Sequence, residues 1–145
     1  MKPYKIGMIT CSNATNELNC CSVSCFSDFN KRAGSFKDYP QEVPLRLVGI
    51  ISCASCPTRV YPEKIIRRVE SLVAFGTQYL HLSNCMVAFC PFIKSYVNVI
   101  KNKYPEVEIV KGTHTAHISD ENFREKLVCA FETKRNMPDI ILGKI

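Results

Sequence analysis

Two cysteines separated by two residues stand directly after a strongly apolar run of the chain. Cys53 and Cys56 follow residues 45–52, and Pro57 follows the second thiol. A tight turn can bring two thiols with this spacing to one point, which is how zinc sites and iron–sulfur clusters use paired cysteines. The same spacing at the start of a helix is typical of thiol–disulfide catalysts, because a helix N-terminus stabilises a thiolate. The motif alone therefore leaves metal binding and redox chemistry open.

The remaining cysteines favour one of these interpretations. The chain has nine cysteines, and all but Cys129 fall after predicted strands or in the long first crossover. A dithiol catalyst needs only two thiols, so the surplus favours a metal site. A thiol-redox enzyme that uses Cys53 and Cys56 is the alternative. The predicted metal ligands are Cys11, Cys20, Cys21, Cys25, Cys53, Cys56, Cys85, Cys90 and His114.

The histidines differ in what their positions allow. His114 follows the last predicted strand, where a neutral imidazole can bind a metal or bond to a loop carbonyl. His117, three residues further on, is a weaker candidate. His81 lies inside a short predicted strand, so we expect it to be a hydrogen-bonded core residue. Cys129 lies opposite the apolar stripe of the last predicted helix, and we expect it to have no role in the site.

Phosphate chemistry is a further alternative. The chain contains neither a glycine-rich dinucleotide motif nor a P-loop sequence. Cys53 and Arg59 do have the Cys-x5-Arg spacing of a protein tyrosine phosphatase loop. Pro57 within that loop argues against a phosphatase, and such a site would leave the other cysteines unexplained.

The composition indicates one globular domain. The chain has 145 residues, of which 46% are hydrophobic and 22% are charged, and we assign residues 1–145 to a single domain. It contains no run of about 18 apolar residues, which argues against a membrane span. Residues 1–5 lead into a strand and lack the apolar segment of a signal peptide, so we expect a cytoplasmic protein. The odd number of cysteines and a reducing compartment both argue against a disulfide framework.

The net charge of +6 comes from cations that are spread along the chain. No basic block alternates with aromatic residues, as a stacking platform for single-stranded nucleic acid would require. We therefore predict that these cations lie on solvated helix faces and that nucleic acid is not a partner. The expected partner is the metal ion or cluster.

Strand-like and helix-like patterns alternate along the chain, and this order must position the thiols. The alternation predicts an α/β fold with three layers, α/β/α, and a four- or five-stranded, mainly parallel sheet in a flavodoxin-like order. The predicted strands are residues 4–10, 45–52, 79–83 and 107–111, the last near an edge. Because such sheets bind ligands at the carboxyl ends of their strands, the thiols should meet there. Residues 136–145 are expected to form an edge strand or a tail, and the apolar residues 140–142 point to a homodimer.

Several short motifs follow one another in a distinctive order. They are Cys11, Cys20-Cys21, residues 26–39, residues 48–57, residues 81–85, Cys90-Pro91 and residues 112–114. This order resembles the CGGC-domain family over nearly the whole length, from Cys11 to His114. The resemblance implies a small prokaryotic protein with a metal site, for which zinc is suggested, and it implies no particular reaction.

Two positions depart from the family pattern. Ala54-Ser55 stands where the family has Gly-Gly, and Thr58 replaces a glycine after Pro57. If those glycines adopt positive φ, the loop in this chain is strained or differently shaped. Both thiols of the motif are kept. We therefore predict a metal-binding protein that holds zinc or an iron–sulfur cluster, with a thiol-redox enzyme and a loop-clamping binding module as the rivals.

Overall fold

The computed structural model describes residues 1–56, 63–115, 118–133 and 136–144. Pro57, Thr58, Arg59 and His117, which the sequence motifs include, lie outside the described residues. The strands are β1 (Tyr4–Thr10), β2 (Leu45–Ser52), β3 (Tyr79–Leu82) and β4 (Glu108–Lys111). The helices are α1 (Val23–Lys31), α2 (Glu63–Ala74), α3 (Asn84–Phe89), α4 (Ile93–Lys103), α5 (Asp120–Thr133) and α6 (Met137–Ile141). In this part of the chain, no helix is long and apolar enough to cross a membrane.

The four strands pair in parallel in the order β2-β1-β3-β4. This confirms the predicted α/β class with a flavodoxin-like layout, and it places β4 at an edge as predicted. Ile6 and Met8 of β1 pack with Phe36 in one hydrophobic cluster, whereas Ile9 belongs to a second cluster that includes Ile65 of α2. Because both faces of the sheet are covered, the carboxyl ends of its strands are where a site can form.

Helix α2 illustrates how the hydrophobic pattern determines the packing. Ile65, Val69 and Leu72 recur at helical spacing and are buried in the core. Burial of each such side chain contributes about 1.5–3 kcal/mol. Beyond the helix, Gly76 has a left-handed φ of 87°, and the Thr77 N–H bonds back to the Leu72 carbonyl. The predicted inner face and C-terminal stop of this helix are confirmed.

The start of α5 differs from its prediction. The apolar pattern that follows Asp120 predicts this residue as the N-cap, but the Ser119 hydroxyl accepts the Asn122 backbone N–H at 3.2 Å. Ser119 therefore caps the helix, and Asp120 is its first residue, where a carboxylate is stabilised by the helix dipole. Leu127 and Ala130 form the buried face, as predicted.

The C-terminal segment also differs from its prediction. It forms the helix α6 instead of an edge strand or an extended tail. Pro138 lies in the first turn of α6, where a helix needs no N–H from it. Met137 is buried, whereas Ile141 and Leu142 are 38% and 66% exposed. The homodimer predicted for this surface stays a prediction.

Candidate thiol site at the carboxyl edge of the sheet

Cys11 and Cys85 meet at the carboxyl ends of the two central strands. Cys11 directly follows β1, and Cys85 is the second residue of α3, which follows β3 after Ser83. The two buried thiols are hydrogen-bonded to each other, and the Ser83 hydroxyl lies 2.9 Å from the Cys85 sulfur. The sequence pattern predicts a loop at Cys85, which is wrong because α3 begins directly after Ser83. Cys90 directly follows the same short helix.

The contact between these two thiols shifts their pKa values in opposite directions. The hydrogen bond from Cys11 lowers the pKa of Cys85 against the opposing effect of burial, and the Ser83 hydroxyl adds to the lowering. The same hydrogen bond, together with burial, raises the pKa of Cys11. Cys85 is therefore the member of the pair that favours the thiolate, while Cys11 keeps its proton and donates it.

The Cys53-Cys56 motif follows β2. Cys53 is buried, and its sulfur accepts the Ser12 backbone N–H at 3.4 Å while its thiol donates to the Ser12 hydroxyl at 3.5 Å. Cys56 is exposed, with the Asn13 side-chain amide 3.9 Å from its sulfur, and partial desolvation raises its pKa. Neither thiol is itself helical, since residues 53–55 have no regular structure and Cys56 lies in a turn. These are not the surroundings of the attacking thiol in a thioredoxin-type catalyst.

Cys90 adds another thiol to the surroundings of this motif. It is half-buried, and burial raises its pKa to about 11. The charges of Cys53, Cys56 and Cys11 add to the rise, in that order. Cys53 and Cys11 likewise raise the pKa of Cys56. These four thiols therefore lie near enough to one another for the ionisation of one to oppose that of the next.

The three cysteines of the first crossover have different surroundings. Cys20 is half-buried, and its sulfur accepts the Ser22 N–H at 3.4 Å. Cys25 is buried on α1, with its sulfur 3.2 Å from the Thr113 hydroxyl. Burial raises the pKa of both thiols, so both are protonated at neutral pH. Cys21 is exposed, as is Cys129 on α5.

The two described candidate histidines have separate roles. His81 is fully buried, with Nδ1 2.7 Å from the Gly112 carbonyl and Nε2 2.7 Å from the Tyr39 hydroxyl. The carbonyl can only accept, so Nδ1 carries the proton, Nε2 accepts from Tyr39, and both nitrogens are occupied. This confirms the predicted core role of His81. His114 is half-buried, and its Nδ1 lies 3.1 Å from the Thr115 carbonyl, which is the loop contact considered as the alternative to ligation.

The thiols have the donor chemistry of a metal site but do not form a completed set of ligands. Across residues 1–56, 63–115, 118–133 and 136–144, no group of three or more Cys, His, Asp or Glu side chains is arranged to hold a metal ion. Thiolates are nevertheless the ligands that zinc and iron–sulfur clusters prefer. Backbone N–H groups also donate to the sulfurs of Cys53 and Cys20, and hydrogen bonds of this kind orient and tune metal ligands. The residues therefore fit a thiolate-bound metal in type.

The loop between Cys53 and Cys56 is strained at one of the two positions where the family has glycine. Ser55 has a φ of 73°, a left-handed conformation that costs a residue with a side chain about 1–2 kcal/mol. Ala54 has an ordinary negative φ and is fully buried. The departure from Gly-Gly therefore strains the backbone at Ser55 and not at Ala54.

A cavity of about 230 Å³ opens beside Cys85. Its lining includes polar or thiol side chains and apolar ones, among them Cys20, Cys25, Cys85 and His114, and Ile118, Phe123, Met137, Ile140 and Ile141. The sequence reasoning missed the contribution of residues 137–141, because residues 136–145 are expected from the sequence to form an edge strand or a tail. The sequence does contain a signal for helix α6, because Ile140 and Ile141 follow Pro138, and proline is favoured in the first turn of a helix.

The fold and the site together define a class of small, thiol-rich α/β domains with cysteines at the carboxyl edge of a parallel sheet. The sequence model of the CGGC domain matches residues 5–114, so the chain belongs to the CGGC domain family. The chain is also similar to the Uncharacterized protein MJ0582 of Methanocaldococcus jannaschii, with 33% identity over 120 residues that cover 77% of this chain and 87% of the relative. No solved structure is significantly similar to it. The family match and the nine cysteines are consistent with a metal-binding role.

Proposed function

We propose that this protein binds a zinc ion through the thiolates of Cys53, Cys56 and Cys90. The observation that carries the proposal is that the charges of Cys53 and Cys56 raise the pKa of Cys90, and that the charge of Cys53 raises the pKa of Cys56. The three sulfurs are thus neighbours that would draw together around a bound metal. A bound cation removes this effect of the charges, because it stabilises all of the thiolates at once. Because these thiols must lose their protons to bind the metal, zinc binding should release protons into solution.

Four of the other predicted ligands already have hydrogen-bond partners within the protein. Cys11 and Cys85 bond to each other, and Cys25 contacts the Thr113 hydroxyl. His114 contacts the Thr115 carbonyl through Nδ1. A metal would have to displace these contacts to use those groups, whereas the Ser12 N–H that bonds to Cys53 can remain in place when the sulfur binds a metal.

The number of thiols distinguishes zinc from an iron–sulfur cluster. Three protein ligands satisfy a zinc ion that keeps one open position, where it supplies a Lewis acid. A cluster is normally held by four cysteines. Here the fourth cysteine would be Cys11, whose thiol would have to leave Cys85. The Cys11–Cys85 contact therefore favours zinc.

A thiol-redox role for the Cys53-Cys56 pair has less support. Desolvation raises the pKa of Cys56, the exposed thiol, whereas an attacking thiol needs a lowered pKa. Cys53 is buried against Ser12.

Titration of the reduced, metal-free chain with Co²⁺ tests the proposal. Co²⁺ replaces zinc in thiolate sites and gives thiolate-to-metal charge-transfer absorption that grows with the number of bound sulfurs. We expect this absorption to saturate at about one Co²⁺ per chain in the wild type and in the Cys129→Ser control. It should be lost in the Cys53→Ser, Cys56→Ser double variant. Equal spectra for all three proteins would exclude these ligands.

A further inference from the structure

The cavity and the Cys11–Cys85 pair share one thiol. Cys85 lines the cavity and is 9% exposed, whereas Cys11 is not part of the lining and contacts Cys85 from the neighbouring strand end. A molecule in the cavity can therefore reach the Cys85 sulfur first. The Cys11 sulfur stands in contact with Cys85, where it can react with whatever Cys85 has bound.

The cavity wall suits a small organic molecule. Ile118, Phe123 and Ile140 supply apolar surface from three consecutive segments of the chain. Lys126 and Asp120 of α5 also reach the lining and offer opposite charges to the polar ends of such a ligand. Pockets that combine apolar walls with a few polar groups are typical binding sites for small molecules.

We propose that this cavity binds a low-molecular-weight organic disulfide, which the Cys85–Cys11 pair reduces. Two adjacent thiols, one at the cavity and one behind it, match the division between an attacking and a resolving cysteine. This activity is separate from the zinc site and uses none of its three cysteines. The lowered pKa of Cys85 agrees with the order of attack, because the thiolate is the nucleophile.

The reaction has two exchange steps. The Cys85 thiolate attacks one sulfur of the bound disulfide, so a Cys85–ligand bond forms, the ligand S–S bond breaks, and the first half leaves as a thiol after taking a proton. The Cys11 sulfur then attacks the Cys85 sulfur and releases the second half as a thiol. The cysteine pair loses two electrons as it forms a disulfide, and the ligand gains them together with two protons, one from the Cys11 thiol and one from solvent. An external dithiol reduces the pair and becomes a disulfide itself.

Peptide mapping of the wild-type chain tests the proposal without any variant. The reduced full chain, freed of reductant without oxygen, is mixed with one equivalent of bis(2-hydroxyethyl) disulfide and mapped by mass spectrometry. We expect a Cys11–Cys85 disulfide, with about two molecules of 2-mercaptoethanol released for each linked chain. Mixed disulfides confined to the exposed Cys21, Cys56 and Cys129, with Cys11 and Cys85 still reduced, would overturn the proposal.

Two further variants separate the roles of the pair and the cavity. Cys11→Ser should stop the reaction after its first step, so that one half of the probe stays on Cys85 and thiol release falls about twofold. Ile141→Trp should fill the cavity mouth and slow the reaction by about tenfold. Leu142→Trp is the matched control, because Leu142 is exposed and not part of the lining. Equal rates for both tryptophan variants and the wild type would exclude the cavity as the route to Cys85.

Discussion

The backbone nitrogen of Ser12 lies 3.4 Å from the sulfur of Cys53 and donates its N–H to it. The bond joins the segment after β1 to the segment after β2, and both residues are buried. The Ser12 hydroxyl lies 3.5 Å from the same sulfur. The position of this sulfur is therefore fixed by its neighbours before any metal binds, as a pre-organised ligand requires.

Removing the Ser12 hydroxyl should weaken zinc binding without abolishing it. Ser12→Ala keeps the backbone N–H but removes the hydroxyl, which can turn to donate to the sulfur once Cys53 has lost its proton. Loss of such a supporting group costs about 10–100-fold in metal affinity. The affinity is measured by competition with a chromophoric chelator. Ser71→Ala, on the exposed face of α2, is the control. Identical affinities for the two variants would show that Ser12 does not support the ligand.

The strain at Ser55 should be visible in the stability of two matched variants. Ser55→Ala and Ser55→Gly both remove the hydroxyl, but only glycine adopts a φ of 73° without cost. We expect the glycine variant to have the higher free energy of unfolding, by about 1 kcal/mol, in urea denaturation. Ala54→Gly should instead lower it, because Ala54 is buried with an ordinary φ. A glycine variant less stable than the alanine variant would contradict the strain.

The hydrogen bond from Cys11 should control the reactivity of Cys85. Because this bond lowers the pKa of Cys85, iodoacetamide should still alkylate Cys85 at a pH at which an ordinary thiol is protonated and unreactive. Cys11→Ala removes the bond, so the midpoint of the pH–rate profile should move upward. Peptide mass spectrometry reports the rate at Cys85 alone. In the control variant Cys129→Ser the midpoint should stay at its wild-type value. An unchanged midpoint in Cys11→Ala would show that Cys11 does not lower the pKa of Cys85.

Burial of His81 should make the stability depend on pH. Burial lowers the pKa of His81, so as the pH falls through about 6.5 the unfolded imidazole takes up a proton that the folded one refuses. Stability is therefore fully present above that pH and declines below it. His81→Gln removes this contribution, and its free energy of unfolding should fall less steeply between about pH 7 and 5. Parallel pH curves for variant and wild type would exclude His81 as the source.

Much of the fold was predictable because the strands of the sheet are short apolar runs. The run that contains Ile50 and Ile51 was correctly assigned to a strand, although its pattern predicts a buried strand and β2 is a half-buried edge strand. The alternation of Glu108 to Lys111 correctly indicated the other edge. The end of α6 was not predictable in this way. A short apolar run such as Ile140, Ile141 and Leu142 is compatible with either a strand or a short helix. Its helical structure depends on packing beside the cavity, which the sequence pattern does not reveal.

The sequence predicted where the thiol site lies but not which of its residues contact each other. All strands of a parallel sheet end at the same edge, so the cysteines that follow strands could be assigned to that edge. The contact between Cys11 and Cys85 depends on the adjacency of β1 and β3 and on the start of α3 directly after Ser83. The contact of Ser12 with Cys53 depends on a backbone N–H, which no side-chain pattern reveals.

The metal and acid-labile sulfide content of the full chain, purified without oxygen, tests the zinc site most directly. The wild type is measured beside Cys129→Ser and the Cys53→Ser, Cys56→Ser double variant. We predict about one zinc per chain in the first two proteins, a large loss in the double variant, and no sulfide in any of them. Iron with acid-labile sulfide would contradict the assignment to zinc. Unchanged metal in the double variant would contradict the site itself.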